Sequence, residues 1–191
     1  MSRKDVAVIP IHRPSRLEIS TFFTQGIFMS IPMAIYFEKY FYTHLTQVAP
    51  WLPIPEVMAV ALAPFVEEFA KVFPLFQRHG ETARTIVLLG FITGLGFGFA
   101  EFLIYVFQYG APVGDRILQI FDHASYSLIS SYGLVARRFV PFFLLAVGLH
   151  AFFNLLVGYG NFLVVVAVAS AGIAILLAWN LYNRAQETLF V

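Results

Sequence analysis

The chain has 191 residues, of which 59% are hydrophobic and only 12% are charged, and its mean hydropathy is +0.77. Soluble domains carry about twice that share of charged residues, so a soluble globule, a disordered chain and a coiled coil are excluded. The apolar runs are too long and continuous for the alternating strands of a β-barrel. The net charge of +1 gives no reason to expect nucleic acid as a partner. The absence of cysteine excludes disulfides and thiol nucleophiles.

Six apolar runs follow one another along the chain, and we predict an all-α polytopic integral membrane protein with about six transmembrane helices. The runs cover approximately residues 19–43, 55–77, 85–109, 116–136, 139–159 and 161–183. Each can cross the roughly 30 Å of hydrocarbon in a bilayer. The basic N-terminal segment lacks the apolar core of a cleavable signal peptide. No repeat or linker divides the chain, which predicts a single transmembrane domain over residues 1–191.

The basic residues of the loops predict the orientation. One side of this topology receives nine of them, and the other receives two. The nine are Arg3, Lys4, Arg13, Arg16, Arg78, Arg84, Arg137, Arg138 and Arg184, and the two are Lys39 and Arg116. Because basic loops stay in the cytoplasm, we predict a multi-pass protein of the cell membrane with both termini cytoplasmic.

Polar and ionisable side chains interrupt the second to the fifth spans, where a bilayer makes them costly. They are Glu67, Glu68 and Lys71 in the second span, Glu101 and Tyr105 in the third, Asp122 and His123 in the fourth, and His150 and Asn154 in the fifth. Helical rise places groups from all four helices near the middle of the membrane. This convergence predicts one internal site formed by helices 2–5.

Spacing within the helices adds detail. Glu67 and Lys71 are four residues apart, the favourable order for an ion pair, which would leave the neighbouring glutamate free to exchange a proton. Glu101 shares a helix face with Tyr105, and His150 shares one with Asn154. Glycines recur every four residues in the third span and predict a small face where another helix approaches: Gly90, Gly94 and Gly98.

Structural roles explain several of these residues equally well. The Glu67–Lys71 pair suits an internal salt bridge, and an intramembrane histidine is commonly a hydrogen-bonded packing group. Tyr105 suits the outer aromatic belt, and Asp122 lies close enough to the start of its span to be interfacial. The contribution of polar groups by four helices favours a common site.

The ordered set of motifs resembles the PrsW family of intramembrane proteases, within the wider CPBP group of CAAX proteases and bacteriocin-processing enzymes. The motifs are Glu67-Glu68-x-x-Lys71, Gly96-Phe97-Gly98-Phe99-Ala100-Glu101 with Tyr105, Arg116 ahead of His123-Ala124-Ser125-Tyr126-Ser127, and His150-Ala151-Phe152-Phe153-Asn154. They define a family-like core over about residues 60–156. CAAX proteases usually have an arginine four residues after the second glutamate and Phe-x-x-x-His as the second motif. The lysine at three and Phe97-x-x-x-Glu101 make the PrsW branch the better match.

The resemblance implies hydrolysis of peptide bonds in membrane-associated protein substrates, with a glutamate-activated water as the nucleophile. We expect the catalytic residues to be Glu67, Glu68, Glu101, His123, His150 and Asn154, with Lys71 and Tyr105 supporting them. Of these, His150 and Asn154 are expected to stabilise the oxyanion. The expected cofactor is none or zinc, since a metal-independent mechanism is favoured over a divalent ion held by Glu68, Glu101, His123 and His150.

Two functions of other classes stay open at this stage. Midplane acids, histidines and lysine are also typical of proton- or ion-coupled transporters and channels, although the chain shows no inverted repeat. A non-catalytic scaffold in a membrane complex is the third reading. The expected partners are a membrane protein substrate and the lipid bilayer, and the sequence indicates no oligomeric state.

Overall fold

The computed structural model describes residues 13–77, 82–158 and 163–187, and the regular structure in these ranges is helical. It forms six helical segments, which we number in chain order. They are α1 (Arg16–Val48), α2 (54–77), α3 (Ala83–Gln108), α4 (Val113–Val135), α5 (Phe139–Gly158) and α6 (Val164–Arg184). Each segment coincides with one predicted span to within a few residues, so the all-α prediction is confirmed.

Four of the described helices, α1, α3, α5 and α6, are long and apolar enough to cross a membrane, and the protein is a multi-pass membrane protein. The segments α2 and α4 are not among them. Charged and polar side chains interrupt both, with Glu67, Glu68 and Lys71 in α2 and Asp122 and His123 in α4. The crossing of α2 and α4, and with it the count of six spans, remains a prediction.

Two features of the sequence explain the local form of α1 and α2. Ser15 begins α1 by a capping box, in which its hydroxyl accepts from the backbone N–H of Glu18 and the Glu18 carboxylate accepts from the Ser15 N–H. Widened π-helical turns at Gly26–Ser30 and Met58–Leu62 precede Pro32 and Pro64. Proline lacks the backbone N–H and displaces the carbonyl four residues earlier, and a π turn accommodates that displacement.

The glycine face of α3 packs directly against α4. A Cβ atom on Gly94 would lie 2.6 Å from the backbone oxygen of His123, and one on Gly98 would lie 2.8 Å from Cα of Ile120. The predicted close approach of a second helix is therefore confirmed, and the approaching helix is α4. Because Glu101 lies one turn beyond Gly98 on α3, this contact brings its carboxylate beside the His123 ring.

Buried apolar side chains fill the space between the helices in several clusters. One joins α3, α4, α5 and α6 around Val87, Ile129 and Ala146, and another joins α1, α2 and α3 around Ala34, Ala70 and Phe97. Large apolar side chains also cover the outer faces of the helices, as expected for surfaces that contact lipid. The polar site lies between these clusters.

Gly94→Ala tests the contact between α3 and α4. We expect it to lower the free energy of unfolding by about 1–3 kcal/mol, because the new methyl group meets backbone atoms that cannot move aside. Gly172→Ala in α6 is the matched control, since its Cβ would meet nothing within 4 Å, and it should be neutral or stabilising by about 0.5–1 kcal/mol. Denaturant unfolding in detergent measures both. Equal stabilities would show that the glycine face does not determine how α3 and α4 pack.

Candidate active site

A cavity of about 480 Å³ opens between α1, α2, α3, α4 and α5, and ionisable side chains line much of it. Six of the eight predicted site residues line this cavity: Glu67, Glu101, Tyr105, His123, His150 and Asn154. The other two, Glu68 and Lys71, lie behind its wall and are fully buried. The helices therefore bring the predicted residues together in two layers.

The ammonium of Lys71 occupies the inner layer. Its Nζ lies 2.5 Å from Oε1 of Glu68 and 3.0 Å from Nδ1 of His123, and 5.0 Å from the centre of the Phe97 ring. The sequence predicted an ion pair with Glu67, four residues away, but the lysine pairs with Glu68, three residues away. The turn of α2 directs Glu68 inward beside Lys71 and directs Glu67 into the cavity.

The same inner carboxylate orients His150. Nδ1 of His150 lies 2.8 Å from Oε1 of Glu68, the oxygen that also accepts from Lys71. Because an ionised carboxylate only accepts hydrogen bonds, Nδ1 of His150 carries the proton. In a neutral ring, Nε2 then presents its lone pair to the cavity.

His123 is held from both sides of its ring. A lysine ammonium only donates, so its contact with Nδ1 of His123 makes that nitrogen the acceptor. The proton of the neutral ring then lies on Nε2, which contacts Oε2 of Glu101. Lys71 and Glu101 together determine both the orientation and the tautomer of His123.

Glu67 faces both histidines from α2. Its Oε2 lies 3.9 Å from Nδ1 of His123 and 3.9 Å from Nε2 of His150, and accepts no hydrogen bond from the residues that the structure describes. One ligand atom from each of these three side chains lies within 4.8 Å of the others, a spacing that suits a metal ion. The set expected from the sequence paired the histidines with Glu68 and Glu101 instead. Both of those carboxylates contact the ring nitrogens that point away from Glu67.

Asn154 connects α5 to the π turn of α2. Its Nδ2 donates to the backbone oxygen of Ala59 at 2.9 Å, and Ala59 lies in the widened turn Met58–Leu62. A side-chain amide has two N–H donors, so one remains for a ligand in the cavity.

Sequence reasoning missed several residues of the cavity wall. Glu38 of α1 lines the cavity, although it falls inside the first predicted span and its charge was a sufficient signal. Arg116, which stands in the family motif but was counted as a loop residue, also lines it. Its guanidinium lies 3.7 Å from the centre of the Tyr105 ring and donates to Gln119 at 2.8 Å. Tyr105 is therefore part of the cavity, although a position in the outer aromatic belt suited it equally well.

A family model described as PrsW family intramembrane metalloprotease matches residues 14–180, which is most of the chain. No curated protein and no solved structure matches it.

Lys71→Met tests the inner layer. Removing the ammonium leaves Glu68 buried without its countercharge, so we expect a loss of about 3–5 kcal/mol in the free energy of unfolding. The double variant Glu68→Gln/Lys71→Met removes both charges and should recover part of that loss. Glu187→Gln is the control, because it breaks the half-exposed ion pair with Arg84 and should cost about 0–1 kcal/mol. Thermal unfolding in detergent compares the three, and equal losses for Lys71→Met and Glu187→Gln would contradict the role of the buried pair.

Proposed function

Because the protein belongs to the PrsW family of intramembrane proteases, we propose that it hydrolyses peptide bonds of membrane-associated protein substrates in this cavity, with Glu67 activating the water. The observation that carries the proposal is the position of Glu67 Oε2. It is a buried carboxylate oxygen without a hydrogen-bond partner among the described residues, and it lies 3.9 Å from two histidine nitrogens. At that separation, one water oxygen can hydrogen-bond to the carboxylate and to a histidine.

The two adjacent glutamates have different roles in this proposal. Glu67 lines the cavity, whereas Glu68 is fully buried and committed to Lys71 and His150. Glu68 is therefore a positioning residue, which keeps the lone pair of His150 Nε2 directed at the cavity. Glu101 acts in the same way on His123, through the ring nitrogen opposite Glu67.

The reaction follows general acid–base chemistry. Glu67 accepts a proton from water as the water oxygen attacks the scissile carbonyl carbon. The carbon–nitrogen bond then breaks, and the leaving amine takes the proton back from Glu67. The tetrahedral intermediate carries an oxyanion, which needs a donor in the cavity.

Asn154 is the better donor for that oxyanion. Its second amide N–H is available, and its contact with Ala59 holds the side chain in place. The sequence assigned this role to His150 as well, but a neutral His150 that donates through Nδ1 to Glu68 has no N–H on the cavity side. We assign His150 to binding the water, or a metal, through its Nε2 lone pair.

The donor set also fits a divalent metal ion, which the word metalloprotease in the family description implies. Glu67, His123 and His150 supply one carboxylate oxygen and two imidazole nitrogens, as in catalytic zinc sites with an open position, and Glu68 contacts the second nitrogen of His150 as outer-shell carboxylates do. To bind a metal ion through Nδ1, His123 would have to give up its contact with the ammonium of Lys71. A bound zinc ion would polarise the scissile carbonyl and acidify a water.

A second space beside the active-site cavity supports a substrate that arrives through the bilayer. This space, of about 620 Å³, lies between α1, α2 and α3, and Glu38, Glu67, Glu101 and Tyr105 line both it and the active-site cavity. A transmembrane segment can reach Glu67 from the lipid along this path.

The family-like core at about residues 60–156 and the cytoplasmic position of both termini remain part of the proposal.

Glu67→Gln should abolish cleavage, with a loss of at least about 100-fold in rate, because the amide cannot accept the proton. Folding should be preserved, since Glu67 Oε2 accepts no hydrogen bond within the described ranges. Cleavage of a membrane protein substrate reconstituted in the same liposomes, followed by gel and mass spectrometry, measures the rate. Glu56→Gln, an exposed position elsewhere on α2, is the control. Full activity of folded Glu67→Gln would contradict the proposed role of Glu67 in activating the water.

Metal content tests the donor set separately. Purified protein supplied with zinc should bind about one ion per chain, and His150→Ala and Glu67→Gln, which remove direct ligands, should each lower the affinity by at least about 10- to 100-fold, which is what the loss of an outer-shell partner costs. Elemental analysis and chelator competition give these values without an activity assay. Wild-type protein that stays metal-free and cleaves its substrate in the presence of chelator would favour the metal-independent mechanism.

A further inference from the structure

Asp122 is a buried acid that the proposed mechanism does not use. Only 2% of the residue is exposed, and neither carboxylate oxygen has a hydrogen-bond partner in the part of the chain that the structure describes. An unpaired polar group at such a position costs free energy. The site is therefore incomplete without a donor that comes from outside the described chain.

Asp122 lies on a wall shared by two cavities. One is the active-site cavity, and the other, of about 410 Å³, lies between α4, α5 and α6. Arg116, Gln119 and Phe153 also border both spaces. The remaining lining of the second cavity is apolar and small, with Leu118, Val164, Ala167, Val168 and Ala171 among its residues.

Acids outnumber bases in the described lining of the active-site cavity, with Glu38, Glu67, Glu101 and Asp122 against Arg116. Glu68 is balanced by Lys71, and Glu101 contacts His123. Glu38 and Asp122 face the active-site cavity without an ion-pair partner among the described residues. Arg116 contacts Tyr105 and Gln119 and keeps its positive charge, so it offsets one of these four acids, and the remaining acids attract cations to the active-site cavity.

We propose that Asp122 and the second cavity form a substrate subsite for a lysine or arginine side chain, an assignment that rests on the proposed protease function. The aliphatic stem of such a side chain lies along the apolar walls, as long basic side chains do at membrane depth. Its charged head donates to the two free oxygens of Asp122, and a charge-assisted hydrogen bond of this kind is among the strong ones. Because Asp122 borders both cavities, the basic residue would bind beside the cavity that holds the scissile bond.

Cleavage profiling tests the subsite. The probe is a set of single-span peptides in liposomes that differ at one position, which is lysine, glutamine or leucine. We expect wild-type protein to cleave the lysine peptide about tenfold faster than the glutamine peptide, the effect of one charge-assisted hydrogen bond. Asp122→Asn should lose that ratio, and Glu56→Gln should keep it. A wild type that cleaves all three peptides equally, or a ratio that survives in Asp122→Asn, overturns the subsite and leaves the protease function intact.

A binding measurement separates the subsite from catalysis. In detergent, n-octylammonium should raise the melting temperature of the wild type more than that of Asp122→Asn, while 1-octanol should shift both equally. If no peptide is cleaved by any variant, the protease proposal fails, and this measurement still decides the role of Asp122. Equal stabilisation of the two proteins by n-octylammonium refutes the subsite. Asp122→Asn should itself fold, because the unpaired carboxylate stabilises nothing among the described residues.

Discussion

The fully buried ammonium of Lys71 is the constraint on which the site depends. A charge removed from water must be compensated by nearby charge and hydrogen bonds, and here Glu68 of α2 and His123 of α4 supply them. Glu68 also contacts His150, which positions α5 relative to the same buried charge. Three helices therefore keep one relative rotation, and the same contacts determine which ring nitrogens of the two histidines carry protons. The contacts that compensate the buried charge of Lys71 are therefore the same contacts that position the two histidines.

Much of this arrangement could be predicted from the sequence. Continuous apolar runs locate the helices, since hydropathy is a property of the local sequence. The glycine spacing predicted the close approach at Gly94 and Gly98, because small residues repeated every four positions lie on one helix face. Polar residues in four spans predicted that Glu67, Glu101, His123 and His150 share a site, because isolated polar groups in a bilayer are costly.

The rest depends on tertiary packing. Adjacent helix positions point about 100° apart, so the sequence alone could not show which of Glu67 and Glu68 faces inward or which one pairs with Lys71. The rotation of α2 decides both, and contacts with α4 and α5 determine that rotation. Glu38 was missed for another reason. It lies inside the first predicted span, but its neighbour Lys39 was counted as a loop residue in the prediction of orientation, and the charge of Glu38 was not assigned to the site, although α1 continues to Val48.

The division between paired and unpaired acids follows from the cost of charge in a bilayer. Behind the cavity wall, where neither water nor substrate arrives, Glu68 has its own counterion, because no other source of compensation exists there. On the cavity side, Glu67 and Asp122 lack partners within the described ranges. An acid can persist unpaired at such depth only where something mobile satisfies it: water, a cation or a substrate group. In the proposed mechanism, the unpaired acids therefore mark the surface for chemistry and substrate recognition, and the paired acid marks the framework that holds this surface.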